Sequence, residues 1–237
     1  MLSTSGLIRS CDAVVFDCAG TLLRLDPSRE TIFEDAAAEL GIKLPSRSIA
    51  RAYEMVDFAL KIKSSQLSSN ESKSRFYFDF NFGLCGALGI EKALERLHPL
   101  LVRRFTERRH WVAFADAAET LREIRRYAPV HALANWDEGL ESVLAQAGLR
   151  DILRDVAASA ALGAEKPARA CFDAFLKRNA LVPGRVVYVG NEYLADVVGA
   201  RKAGLLPILL DRHDHLPAAD CMRIRRLRDL ISPHLGR

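Results

Sequence analysis

Asp17 closes a short apolar run, Ala13-Val14-Val15-Phe16, and is followed by Cys18, Ala19, Gly20 and Thr21. A carboxylate in that position can attack an electrophile or ligate a hard cation. Its neighbours Ala19, Gly20 and Thr21 bring backbone amides that can face a bound anion. Asn135 follows a second apolar run and carries a side-chain donor. Lys166 precedes Pro167, whose fixed geometry holds the loop, and its ammonium can neutralise a phosphate or carboxylate. Asp196 comes six residues after Gly190 in a glycine-led turn. Singly, each signal is weak, because an aspartate at a strand end is often a cap and a lone lysine is usually a surface charge. Their chemistry depends on whether the fold brings them together.

The elements that must do so are read from pattern. Ala13–Phe16 is uniformly apolar, which suits a buried strand of a parallel sheet better than an alternating edge strand. Leu22 to Pro27 reads as a short hairpin or loop. From Ser28, Ile32, Phe33, Ala36, Ala37 and Leu40 recur at helical spacing, with Gly41 as the stop. Helical patterns return at Ser46–Lys63 and Ile90–Arg109, separated by a polar, serine-rich stretch, Ser64–Ser74, expected as an exposed loop. From Ala115 onward strand-like and helix-like segments alternate, with strands at Val130–Ala134, Val156–Ala158, Arg185–Val189 and Pro207–Leu210. That alternation predicts βαβ units and a Rossmann-like parallel sheet flanked by helices. In open sheets of this kind, sites form at the carboxyl ends of the strands. Asp17, Asn135, Lys166 and the Gly190–Asp196 turn all fall there. The predicted organisation is an α/β core from 1–24 and 111–237, with an α-helical insertion over 25–110.

Composition narrows the classes. Of 237 residues, 49% are hydrophobic and 27% charged, which suits a globular chain with a substantial core. The net charge of +4, from 34 basic and 30 acidic residues, is too small and scattered to imply nucleic acid. No uncharged apolar stretch approaches the ~20 residues that cross a bilayer. Five cysteines without a CxxC pair read as free thiols of a reducing compartment, and no signal-like run precedes Asp12, so a cytoplasmic location is expected. Nothing in the sequence sets an oligomeric state.

Motif order adds a family resemblance. VVFDCAGTLL resembles the first motif of the haloacid-dehalogenase-like superfamily, LANWDEGLESVLAQAGL the second, SAALGAEKPARACFDAFL the third and VVYVGNEYLADVVGARKAGLLPILLDR the fourth. The resemblance spans Asp12–Gly20 and about Ala115–Arg212. It implies a hydrolase with Asp17 as nucleophile, Lys166 stabilising the charge of nucleophile and bound anion, and Asn135 helping hold that anion. Ala19, Gly20, Thr21, Asn135 and Lys166 would contact a small, anionic, phosphorylated substrate. A Mg²⁺ would sit between Asp17, the Ala19 carbonyl, Asn191 and Asp196, under a cap formed by the insertion.

This chain departs from the pattern at three places. Ala19 stands where phosphatases carry the aspartate that protonates the leaving group, Ala134 where a Ser or Thr is usual, and Asn191 where an Asp is usual. A lost acid/base typically costs ~10²–10⁴-fold in rate, and a lost carboxylate weakens cation binding. The first reading is therefore a hydrolase with altered or reduced phosphatase chemistry and weak Mg²⁺. A catalytically impaired binding module is the main alternative. A phosphonatase-like enzyme would use Lys61 or Lys63 for a Schiff base. A haloacid-dehalogenase-like enzyme would need a cap arginine such as Arg24, Arg29 or Arg51, with aromatic residues such as Phe58. Elsewhere, Asp211–His215 is expected as a solvated loop after the last strand. The segment around Arg223–Arg228, with Ile224, Leu227, Leu230 and Ile231, is expected as a helix packed on the core. The aromatic run Phe76–Phe82 is expected to fill the core of the insertion.

Overall fold

The computed structural model describes residues 3–60, 70–107 and 110–231. The chain divides into two compact units, Met1–Arg24 with Trp111–Arg237, and Leu25–His110. After α1 (Thr4–Ser10), the first unit is organised on β1 (Ala13–Phe16). The second unit contains α2 (Arg29–Glu39), α3 (Ser46–Leu60), α4 (Asn70–Leu88) and α5 (Leu94–Glu107). Two short strands, β2 (Leu23–Asp26) and β3 (His110–Ala113), pair where the chain passes between the units.

The rest of the first unit alternates α6 (Ala117–Ile124), β4 (Val130–Ala134), α7 (Leu140–Gln146), β5 (Asp155–Ala158), α8 (Ser159–Leu162), α9 (Arg169–Arg178), β6 (Val186–Gly190), α10 (Gly199–Lys202), β7 (Leu206–Leu210) and β8 (Met222–Ile224). Six strands form one sheet in the order β5-β4-β1-β6-β7-β8, and every pairing is parallel. This is the α/β, Rossmann-like architecture that the alternating pattern predicts. β1 is central because all four of its residues are apolar and buried. Val14 and Phe16 enter the core that holds Leu121, Ile124, Leu140 and Leu144. Ala13 and Val15 enter the opposite core, with Phe172, Phe175 and Leu176. A strand covered on both faces gains from apolar side chains on both, so it reads as a run rather than an alternation.

The second unit has its own core, including Phe33, Ile49, Tyr53, Leu84, Leu97 and Leu101. α2 starts where Ser28 accepts a hydrogen bond from the Thr31 amide at 3.2 Å, satisfying one of the donors left open at a helix start.

The structure corrects three local expectations. Residues 64–69 of the expected Ser64–Ser74 loop lie outside the described residues, and from Asn70 the chain is already in α4. Leu84, Cys85, Leu88 and Phe80 reach the core at helical spacing, and that packing carries the polar first turns with it. The aromatic run is only partly core: Phe80 packs inward, whereas Tyr77 and Phe82 stay 59% and 56% exposed. Near the C-terminus the expected helix is absent. Met222–Ile224 instead adds a parallel strand to β7, and a single tight turn, Leu227–Leu230, buries Leu227 and Leu230. Asp211–His215 is a loop, but a further strand follows it. Asp211 accepts from the His215 and Leu216 amides at 2.9 Å each and from Arg223 at 3.0 Å. Arg223 and Arg225 also bond Asp214. These ion pairs hold the arginine-rich segment extended. β3 has no counterpart in the sequence reading.

Candidate active site

β1 leads directly into Asp17, whose amide donates to the Val189 carbonyl of β6 at 2.9 Å. The carboxylate is thereby fixed at the carboxyl end of two central strands. Lys166, in the loop between α8 and α9, places its Nζ 2.7 Å from Asp17 Oδ1 and 2.6 Å from Asp196 Oδ1. All three side chains are buried, at 6%, 3% and 1% exposure for Asp17, Lys166 and Asp196. Two carboxylates thus share one ammonium. Burial opposes the charge on Lys166, but the two carboxylates prevail and hold it protonated well above the usual lysine range. Burial pushes the Asp17 carboxyl up to about 7, with Lys166 pulling it down and Asp196 adding to the rise.

Sequence reasoning missed a fourth member. Tyr188 of β6 is fully buried; its hydroxyl accepts from Lys166 Nζ at 2.9 Å and donates to the Leu133 carbonyl of β4 at 2.9 Å. In sequence it reads only as one more apolar strand residue. The lysine ammonium can donate three hydrogen bonds, and Asp17, Asp196 and Tyr188 take all three. Asp196 is also committed at its other oxygen, which accepts from the Glu192 amide at 2.9 Å. It reaches that position because Gly190 has no side chain: a Cβ there would meet Asp196 Cγ at 2.2 Å.

Asn135 is first of all a positioning residue for Lys166. Its Nδ2 donates to the Lys166 carbonyl at 2.8 Å and its Oδ1 accepts from the Lys166 amide at 2.7 Å. The side chain acts as a short piece of strand that fixes the Lys166 loop, which takes one of its two N–H donors. Gly20 and Thr21 differ from expectation. The Gly20 amide donates to the Leu23 carbonyl at 2.8 Å and the Thr21 amide to the Cys18 carbonyl at 3.2 Å. Among the described residues, the Ala19 amide is the one of these three without a backbone acceptor, which leaves it available to an anion. A further unforeseen residue, Arg212, braces the loop. Its guanidinium lies 3.8 Å from the centre of the Phe114 ring, pairs with Asp116 at 3.3 Å and donates to the Thr21 carbonyl at 3.0 Å.

Asn191 sits against the same loop. With its oxygen inward, it accepts from the Thr21 hydroxyl at 2.9 Å but faces two acceptors. With its nitrogen inward, its two N–H groups have three acceptors within reach, the Ala19 carbonyl at 2.8 Å, Thr21 Oγ1 at 2.9 Å and Asp17 Oδ2 at 3.3 Å. Partner chemistry decides such orientations, and it favours the nitrogen inward. So arranged, the residues do not fit Mg²⁺, which takes near-octahedral oxygen ligands. Asp17 is shared with Lys166, Asp196 is engaged at both oxygens, and the Asn191 group turned inward is a donor. Among the described residues no cluster of three or more His, Cys, Asp or Glu side chains could hold a metal.

The side chains considered for other chemistries are placed as follows. Lys61 and Lys63 lie outside the described residues. Arg29 is committed within its own unit: it pairs with Asp57 at 2.6 Å and Glu30 at 3.0 Å, and lies over the Tyr53 ring at 4.4 Å. All five cysteines are free thiols, and Cys18 is buried with its thiol pushed well up by burial, as befits packing rather than nucleophilic chemistry. No helix among the described residues is long and apolar enough to cross a membrane.

A family model described as haloacid dehalogenase-like hydrolase matches residues 11–204. The chain is 27% identical to haloacid dehalogenase-like hydrolase domain-containing protein 3 of Danio rerio, over 85% of each chain. To the Homo sapiens protein of that name it is 25% identical, over 83% of this chain and 80% of the other. Among solved structures, it is similar to the magnesium-bound HAD-hydrolase YfnB from Bacillus subtilis, with a TM-score of 0.71 at 18% identity, covering 93% of this chain and 96% of that one. It is also similar to the L-2-haloacid dehalogenase of Xanthobacter autotrophicus with chloropropionic acid covalently bound, with a TM-score of 0.58 at 19% identity, covering 93% and 97%. At these identities the structural likeness is one of fold.

Proposed function

Because the chain belongs to the haloacid dehalogenase-like hydrolase family, we propose that it is a hydrolase in which Asp17 attacks a small, phosphorylated substrate and the resulting intermediate is released slowly. The observation that carries this reading is the buried Asp17–Lys166–Asp196 triad, with Lys166 Nζ 2.7 and 2.6 Å from the two carboxylates. Burying three ionised groups is expensive in desolvation and contributes little to stability that apolar packing would not supply. A fold that retains them holds a carboxylate in one orientation beside a fixed positive charge, which is what a nucleophile toward an anionic centre needs.

In this reading Asp17 forms a bond to phosphorus as the leaving oxygen departs with the bond electrons. Lys166 offsets charge at the nucleophile, and the Ala19 amide faces a phosphoryl oxygen. Ala19 has no side chain to protonate the leaving group or to draw a proton from water, so good leaving groups react and the aspartyl-phosphate persists. The unit Leu25–His110 is assigned as the cap that selects substrate.

Treatment with acetyl phosphate, a donor that needs no acid assistance, should leave phosphate on Asp17, detectable by mass spectrometry and absent in Asp17→Asn. Ala19→Asp should raise turnover ~10²–10⁴-fold, the range of a positioned acid/base. If neither protein forms an adduct or turns over phosphomonoesters, phosphonates or haloacids, the chain is a binding module rather than an enzyme.

A further inference from the structure

The place assigned to Mg²⁺ by resemblance lies between the nucleophile, the carbonyl two residues on and the fourth-motif residues. Here that place is spanned by one side chain. The Asn191 nitrogen reaches the Ala19 carbonyl at 2.8 Å and Asp17 Oδ2 at 3.3 Å, the two oxygens that a cation would draw together. Gly20 makes the approach possible: it adopts φ +79°, and a Cβ there would stand 2.9 Å from Asn191 Cγ, too close for the amide to keep its place. Charge points the same way. Asp17 and Asp196 against Lys166 leave the cluster one net negative charge, where a third carboxylate at position 191 would leave two and call for a cation.

We infer that the Asn191 amide takes the place of the divalent cation, tying Asp17 to the Ala19 carbonyl, so that this site is assembled without Mg²⁺. The amide can do the positional part of a cation's work because it has two N–H groups and can serve more than one acceptor at once. It cannot supply a cation's charge, so Lys166 remains the sole full positive charge on the nucleophile among the described residues. For Mg²⁺ to enter, Asn191 would have to turn its oxygen inward and give up both contacts, for a site offering one shared carboxylate.

The test needs no substrate, so its failure is separate from any failure of Asp17 to accept phosphate. In ¹⁵N-labelled protein, the Asn191 side-chain amide resonances, assigned by their loss in Asn191→Asp, should not move as MgCl₂ is raised to about 10 mM, well above the affinities of charge-rich sites. The melting temperature should be equally indifferent. Asn191→Asp should bind Mg²⁺ at least about tenfold more tightly by calorimetry, because a charged oxygen replaces a donor. Micromolar Mg²⁺ binding by the native protein, a Mg²⁺-dependent shift of the Asn191 resonances, or an Asp variant that binds no better would each overturn the inference. Should the variant not fold, the native protein's calorimetry and melting curve decide, and the side-chain amide, assigned from contacts to Ala19 and Thr21 protons, decides with them.

Discussion

The two ends of the central sheet treat buried polar groups in opposite ways. At the carboxyl end, Lys166 is saturated by Asp17, Asp196 and Tyr188, and each carboxylate has further partners. Toward the amino end of β4, His131 is 1% exposed, yet neither ring nitrogen has a hydrogen-bond partner among the described residues. It packs edge-on against Phe175, with ring centres 5.8 Å apart. The first region keeps charges inside by pairing every one of them. The second keeps a titratable ring inside by holding it neutral: burial lowers the His131 pKa to about 4, with Asp155 opposing the fall. A buried ionisable group is therefore no indicator of chemistry on its own. Saturation with partners at a strand's carboxyl end is what separates the two.

The contrast is broken most forcibly at Lys166. Lys166→Met leaves Asp17 and Asp196 buried and facing each other without a counter-ion, and should cost about 3–5 kcal/mol. Adding Asp196→Asn should recover part of that loss. Urea unfolding of the two variants checks this, and a loss below about 1 kcal/mol would mean the triad is solvated rather than buried.

At the other end, pH is the probe. The His131 pKa is lower in the folded chain than in the unfolded one, so its contribution is fully present above pH 6.5. It is lost as pH falls from there through about 4. The shift corresponds to about 3 kcal/mol. His131→Leu should therefore flatten the acid limb of the stability profile by about that amount and should not destabilise the protein at pH 7.5, since no hydrogen bond is removed. Parallel acid limbs in mutant and native protein would place the titrating group elsewhere.

The smallest effect sharpens the comparison. Tyr188→Phe removes one acceptor from Lys166 and one donor from the Leu133 carbonyl, and should cost about 1–2 kcal/mol. It should also loosen Lys166, so the pKa of Asp17, followed by carboxyl NMR, should move away from about 7. A stability loss with an unmoved Asp17 titration would make Tyr188 a packing residue only.

Some of this was readable from residues alone. The all-apolar run before Asp17, the strand–helix alternation after Ala115 and the glycines at 20 and 190 are local signals. Each constrains its own segment whatever lies elsewhere. What escaped depends on distant segments meeting. Arg223–Arg225 has helical spacing around it, but Asp211 and Asp214 draw it into a strand beside β7. The Phe76–Phe82 run splits between core and solvent because helical phase, not aromatic content, decides which rings turn inward. Asn135 reads in sequence as a donor for substrate; that it also holds the Lys166 backbone, 31 residues away, shows only in the fold. Tyr188 looked apolar until its hydroxyl was seen between Lys166 and Leu133.

Which residues bear the chemistry-capable groups, and which of the usual groups are missing at 19, 134 and 191, was determined by the sequence itself, because a side chain's functional group does not depend on its neighbours. Which of those groups remain free to act was decided by tertiary structure alone. Every donor and acceptor near Asp17 has a limited number of bonds to make, and only the folded arrangement of β1, β4, β6 and the Lys166 loop settles which partner takes each one.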